Sequence, residues 1–210
     1  MAVQSAYPAT LEIDYPDRQL DRVSSLLRIF TVIPIAIILI LLEGGFSGRT
    51  GSSGTSSNSY MSGIVILPTL LMIVFQQKYP RWWFDWNLAL TRFSNRVAAY
   101  FLLLRDEYPS TDEEQAVHLD FAYPNVREEL NRWLPLVKWL LAIPHYIVLF
   151  FLVIAAAVVV IVAWFAILFT GRYPRSMFDF VVGVMRWGLR VSVYAFILTT
   201  DTYPPFRLSV

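Results

Sequence analysis

The chain has 210 residues, of which 56% are hydrophobic and 16% charged, against about 25% charged residues in an ordinary soluble domain. With a mean hydropathy of +0.51, this composition points to a membrane protein. The net charge of +1 gives no electrostatic footprint for nucleic acid, and the lack of cysteine excludes disulfides, thiol catalysis, thiolate metal sites and a lipoprotein anchor.

In chain order, the first signal is the apolar–polar alternation of Thr10 to Asp14, which predicts a short strand. An apolar run follows and predicts a membrane helix over about 23–43. Arg28 is placed there to snorkel toward the interface, and Glu43 marks the membrane boundary. This run comes after a charged, proline-containing segment and no small-residue cleavage site follows it, so it does not read as a cleavable signal peptide. Residues 44–59 are a glycine-serine stretch, a flexible solvated loop by composition, and a second membrane helix is predicted over about 61–77. An amphipathic helix is expected over about 82–104. The acidic linker from Arg105 to Glu129 contains another strand signal, Val117 to Phe121.

The stretch from Trp139 to Thr170 carries no Asp, Glu, Lys or Arg. As one straight helix it would be about 48 Å long, too long for a hydrocarbon core of about 30 Å. The expectation is therefore a fold-back or a steep tilt, with membrane helices at about 132–152 and 155–170. An interfacial helix over about 176–198 and a third strand signal, Phe206 to Leu208, complete the chain.

Two stretches nearly repeat each other. Lys78-Tyr79-Pro80-Arg81-Trp82-Trp83-Phe84-Asp85-Trp86 returns as Arg172-Tyr173-Pro174-Arg175-Ser176-Met177-Phe178-Asp179-Phe180. Leu11 to Pro16 likewise matches Leu119 to Pro124, and Arg28 and Pro34 match Lys138 and Pro144. The predicted architecture is an all-α integral membrane protein of two tandem repeats, 1–108 and 109–210. Each repeat is an apolar helical hairpin plus an amphipathic interfacial helix, with short surface strands. Two crossings per repeat place every Lys and Arg except Arg49 on one side or its interface, so the positive-inside rule puts both termini in the cytoplasm. Three crossings would carry two arginines per terminal helix to mid-membrane, at about 2.5 kcal/mol or more apiece.

The candidate sites follow from the charges. Arg92 and Arg96, and Arg186 and Arg190, are spaced to share a helix face. With Arg81 and Arg175 they are candidate ligands for lipid headgroups or phosphate, although generic membrane anchoring is the favoured reading of the paired arginines. Tyr79, Pro80 and Asp85, with Tyr173, Pro174 and Asp179, read as structural turns and caps, the prolines suiting the first helical position. His145 lies in an apolar helix and His118 in the polar linker, so the two do not suit bis-histidine haem ligation. No phosphate loop, nucleophile elbow, zinc-protease motif or dinucleotide fingerprint is present, and neither an enzyme, a cofactor nor a metal is expected.

The runs Trp139-Leu140-Leu141-Ala142-Ile143-Pro144-His145, Phe169-Thr170-Gly171-Arg172-Tyr173-Pro174-Arg175 and Thr200-Asp201-Thr202-Tyr203-Pro204-Pro205-Phe206 resemble a family of bacterial membrane proteins. That family is catalogued as domain of unknown function 4389. The first half is a diverged copy, with Pro34-Ile35 where the second has Pro144-His145. The resemblance implies a helical integral protein of the bacterial inner membrane and brings no activity with it. Three functions stay open: a non-catalytic accessory or scaffold subunit of a membrane complex, a homo-oligomeric channel or transporter, and an anionic-lipid-binding regulator. The expected partners are membrane lipids, anionic ones above all, and other membrane subunits or further copies of the chain.

Overall fold

A computed structural model describes residues 7–16, 20–42, 69–111 and 113–209. The glycine-serine loop and most of the helix expected at 61–77 lie outside the described residues.

The two strand signals pair. Strand β1, Ala9–Ile13, runs antiparallel to β2, Val117–Phe121, with Leu11 opposite Leu119. Their alternation sorts the faces as a half-buried sheet requires: Ala9, Leu11, Ile13, Val117, Leu119 and Phe121 are buried, while Thr10, Glu12, His118 and Asp120 face solvent. The third signal, Phe206 to Leu208, forms no strand. Arginine side chains, described below, take up the backbone of that tail.

Helix α1 spans Arg22–Leu42, opened by Asp21, whose carboxylate accepts the Val23 N–H at 3.0 Å. The amphipathic helices are α2, Arg81–Phe101, and, after short helices α3, Val126–Glu129, and α4, Pro135–Leu141, and the long α5, Ile143–Thr170, the helix α6, Arg175–Ser192. A single π-turn, Val193–Ile197, extends α6. The sheet packs on α2 and α6, while α1 packs on α2 and α5 packs on α6 and α1. Leu11, Leu119, Phe84, Phe178 and Val181 join the layers in one apolar core.

The predicted fold-back between residues 152 and 155 is absent. Helix α5 is continuous over 28 residues. The reason is local: Ala155, Ala156 and Ala157 are strong helix formers, and no Gly or Pro interrupts the chain between Pro144 and Gly171. The helix ends where Gly171 adopts a left-handed conformation at φ 73° and returns its N–H to the Ile167 carbonyl at 2.7 Å.

Contacts recur in matched sets. The Tyr15 hydroxyl donates to the Tyr173 carbonyl and the Tyr123 hydroxyl to that of Tyr79. The Arg175 guanidinium lies 4.6 Å from the Tyr15 ring centre, and Arg81 lies 4.5 Å from that of Tyr123. Asp106 accepts the Asp21 N–H at 2.9 Å, and Asp201 accepts the Asn131 N–H at 2.6 Å.

Candidate functional site

The four paired arginines turn toward the sheet, the linker and the tail. Arg92 donates from Nε to the Leu119 carbonyl at 2.8 Å, and Arg186 from Nε to the Leu11 carbonyl at 2.9 Å. Both acceptors belong to a sheet that has two strands, and so two edges, among the described residues, and each guanidinium closes part of one edge. Arg186 also reaches the Leu208 carbonyl at 3.2 Å. Arg190 holds those of Arg207 and Ser209 at 3.2 and 2.7 Å, and Arg96 that of Ser110 at 2.7 Å. The groups that the i,i+4 spacing offers to phosphate thus have partners within the chain.

The turn residues depart from expectation by one position. Pro80 and Pro174 precede the first helical residue instead of occupying it, each accepting an N–H at 3.0 Å, from Phe84 and Phe178. Asp85 and Asp179 fall beyond the first turn and cap nothing; Asp179 meets Arg175 at 3.3 Å on an exposed surface. An exposed pair of this kind contributes about 0–1 kcal/mol. Tyr79 and Tyr173 are buried. Burial raises both hydroxyl pKa values above the usual tyrosine range, so they remain neutral, the Tyr173 hydroxyl without a hydrogen-bond partner. Tyr79 donates to the Ile197 carbonyl at 3.1 Å.

The charged groups that matter most to the fold include two buried cations, Arg28 and Lys138. Arg28, expected at the water interface, is buried and pairs with Asp106. It also donates to the carbonyls of Tyr100 and Arg105 at 3.2 and 3.1 Å. Lys138 is buried too; it pairs with Asp201 at 2.7 Å, donates to the Thr200 carbonyl at 2.7 Å and sits 5.2 Å from the Tyr194 ring centre. The missed signal is Asp106-Glu107-Tyr108-Pro109 recurring as Asp201-Thr202-Tyr203-Pro204.

At one place the halves differ in kind. His145 is fully buried; its Nδ1 accepts the Trp187 indole N–H at 3.1 Å, and its ring stacks on Phe206 with centroids 4.0 Å apart. With Nδ1 accepting, the neutral ring carries its proton on Nε2, which has no partner. Ile35 and Phe93, which the sequence comparison sets against His145 and Trp187, lie in a cluster with Val32, Val97 and Tyr100 that holds no histidine. His118 is exposed and reaches Asp14 at 3.3 Å.

Two surface clefts mix both signs of charge, while a third, of about 570 Å³, carries Lys78 and Arg127 and no carboxylate. One of about 830 Å³ is lined by Arg105, Arg175 and Arg186 together with Glu12, Asp14 and Asp179. Another of about 480 Å³ sets Arg92 and Arg96 against Glu12, Glu114 and Asp120. Neither concentrates the positive charge that an anion would require. Among the described residues no group of His, Asp or Glu is arranged to hold a metal ion.

Arg186→Ala is expected to destabilise the protein by about 1.5–3 kcal/mol, the range for a hydrogen bond from a charged donor. Chemical unfolding in detergent checks the magnitude, and hydrogen exchange should show loss of protection concentrated in β1. A staple of this kind, unlike a headgroup ligand, leaves binding to anionic vesicles unchanged.

By length and composition two helices among the described residues could cross a membrane, Ile143–Thr170 and Arg175–Ile197. Only 11% of the apolar window of the first is buried, against 61% for the second. No curated protein and no solved structure matches the chain. Residues 133–207, which contain His145, Lys138, Asp201 and the paired arginines of α6, match the family model described as Domain of unknown function (DUF4389).

Proposed function

We propose that the protein performs no chemistry of its own and serves as an accessory or scaffold subunit held in the bacterial inner membrane. The observation that carries this reading is a division of labour between surfaces. The chain uses charged groups on itself, in buried pairs and carbonyl staples, and leaves an extended apolar surface uncovered along α5. An uncovered apolar surface of that extent marks a site for lipid or for another membrane subunit.

The reading takes the chain as two tandem repeats, a view supported by the matched tyrosine, arginine and aspartate contacts of the two halves. It places the sheet and both termini on the cytoplasmic side, where the positive-inside rule puts the Lys and Arg residues of the terminal segments, linker and tail. The test is native mass spectrometry of the protein gently extracted from its own membrane. The expected result is a stable assembly with at least one other polypeptide. A pure homo-oligomer would move the reading to a channel, and a lone monomer would remove the subunit role.

A further inference from the structure

The orientation of α5 follows from what covers it. His145, Leu149, Leu152, Ala156, Ala163 and Ile167 are buried or half-buried and recur every three, four or seven residues. They form one seam running from the first turn of the helix to the last. On the other side Ile147, Ile154 and Ile161, one heptad apart, are 56%, 48% and 57% exposed. A helix covered on one face from end to end lies alongside its support, here for about 33 Å at 1.5 Å per residue. One end is fastened to α6 and the other to the residues that open α1. His145 takes the indole N–H of Trp187 from α6. At the far end, the Gly171 and Phe169 carbonyls accept from the Leu20 N–H at 2.9 Å and from Arg22 at 3.4 Å.

The support is polar on its outer side over the same length. The β1 segment follows α6 from Tyr7, whose hydroxyl meets the Arg190 carbonyl, through Leu11, which holds Arg186, to Tyr15, which meets the Tyr173 carbonyl. Glu12 and Asp14 on this segment, and His118 and Asp120 on β2, face solvent. A crossing α5 would take α6 and β1 across with it, carrying these carboxylates to hydrocarbon depth at about 2.5 kcal/mol or more each.

We propose that α5 lies in the plane of the membrane, within one leaflet, and does not cross it. The lipid surface covers the Ile147–Ile154–Ile161 face, while α6 and the sheet supply the polar side that an interfacial helix ordinarily carries itself. The proposal rests on the membrane reading above and adds the direction of the helix within the bilayer.

The chain has no cysteine, so Ile147→Cys, Ile154→Cys and Ile161→Cys each give one spin-labelling site on an exposed position that leaves the packed seam intact. Each variant is reconstituted into vesicles of phosphatidylcholine and phosphatidylglycerol, and its depth is read from the relative accessibility to oxygen and to a water-soluble nickel chelate. An in-plane helix gives the same depth at all three positions. A crossing helix or a hairpin displaces successive labels by about 10 Å along the membrane normal, and such a gradient would overturn the proposal. Water-like nickel accessibility at all three, with protein that fails to float with the vesicles, is a separate result. It would remove the membrane reading itself and this orientation with it.

Discussion

Asp201→Asn is expected to destabilise the protein by about 3–5 kcal/mol, the cost of leaving a buried charge without its partner. Lys138 has no exposed surface, and Asp201 holds it at 2.7 Å while also accepting the Asn131 N–H. Asparagine keeps the shape and the acceptor for Asn131 but removes the negative charge. The Lys138 ammonium then has the Thr200 carbonyl and the Tyr194 ring, and neither neutralises it. For a chain of this length the loss corresponds to a Tm lower by about 10 °C. Adding Lys138→Met removes the stranded charge while keeping an unbranched apolar stem of similar length, and should recover most of the loss. If the double variant is as unstable as the single one, the pair is not what holds α4 to the end of α6. Asp106→Asn, which strands the buried Arg28, should act in the same direction.

That pair shows which parts of the fold were legible. The strand alternation of Thr10 to Asp14 and Val117 to Phe121 is a period-two signal carried entirely by neighbouring residues, and the two segments pair. The direction in which a charged side chain points was not legible. An i,i+4 arginine pair reads identically whether it faces phosphate or a strand carbonyl, because the acceptor, Leu11 or Leu119, comes from a distant part of the chain. Arg28 reads as a snorkelling residue because its partner Asp106 stands 78 positions away. The continuity of α5 is a different kind of miss. The length argument left a fold-back or a steep tilt, and matching the second half to the first put a turn near Ala155 to Ala157, where the local sequence supports only helix. A long apolar helix is under no such constraint when a polar layer lies along its whole length.

Substitution on the uncovered face of α5 tests whether that face meets lipid at all. Val158 is 56% exposed and lies near the middle of the helix, with no charged residue between Lys138 and Arg172. On a water-facing surface Val158→Arg would change stability by about 0.5 kcal/mol or less and would raise solubility. In the hydrocarbon of a membrane the same arginine costs up to about 2.5–3.5 kcal/mol, reduced to the extent that its stem lets the guanidinium reach the headgroups. The expected result is that Val158→Arg lowers the membrane-bound fraction of the expressed protein several-fold, while Ser176→Arg, on the exposed first turn of α6, leaves it unchanged. The remaining Val158→Arg protein should need detergent to stay in solution. A decline confined to Val158→Arg locates the lipid on the α5 face. Equal membrane fractions for both variants, with wild-type behaviour in detergent-free buffer, would mean that this face is covered by something other than lipid.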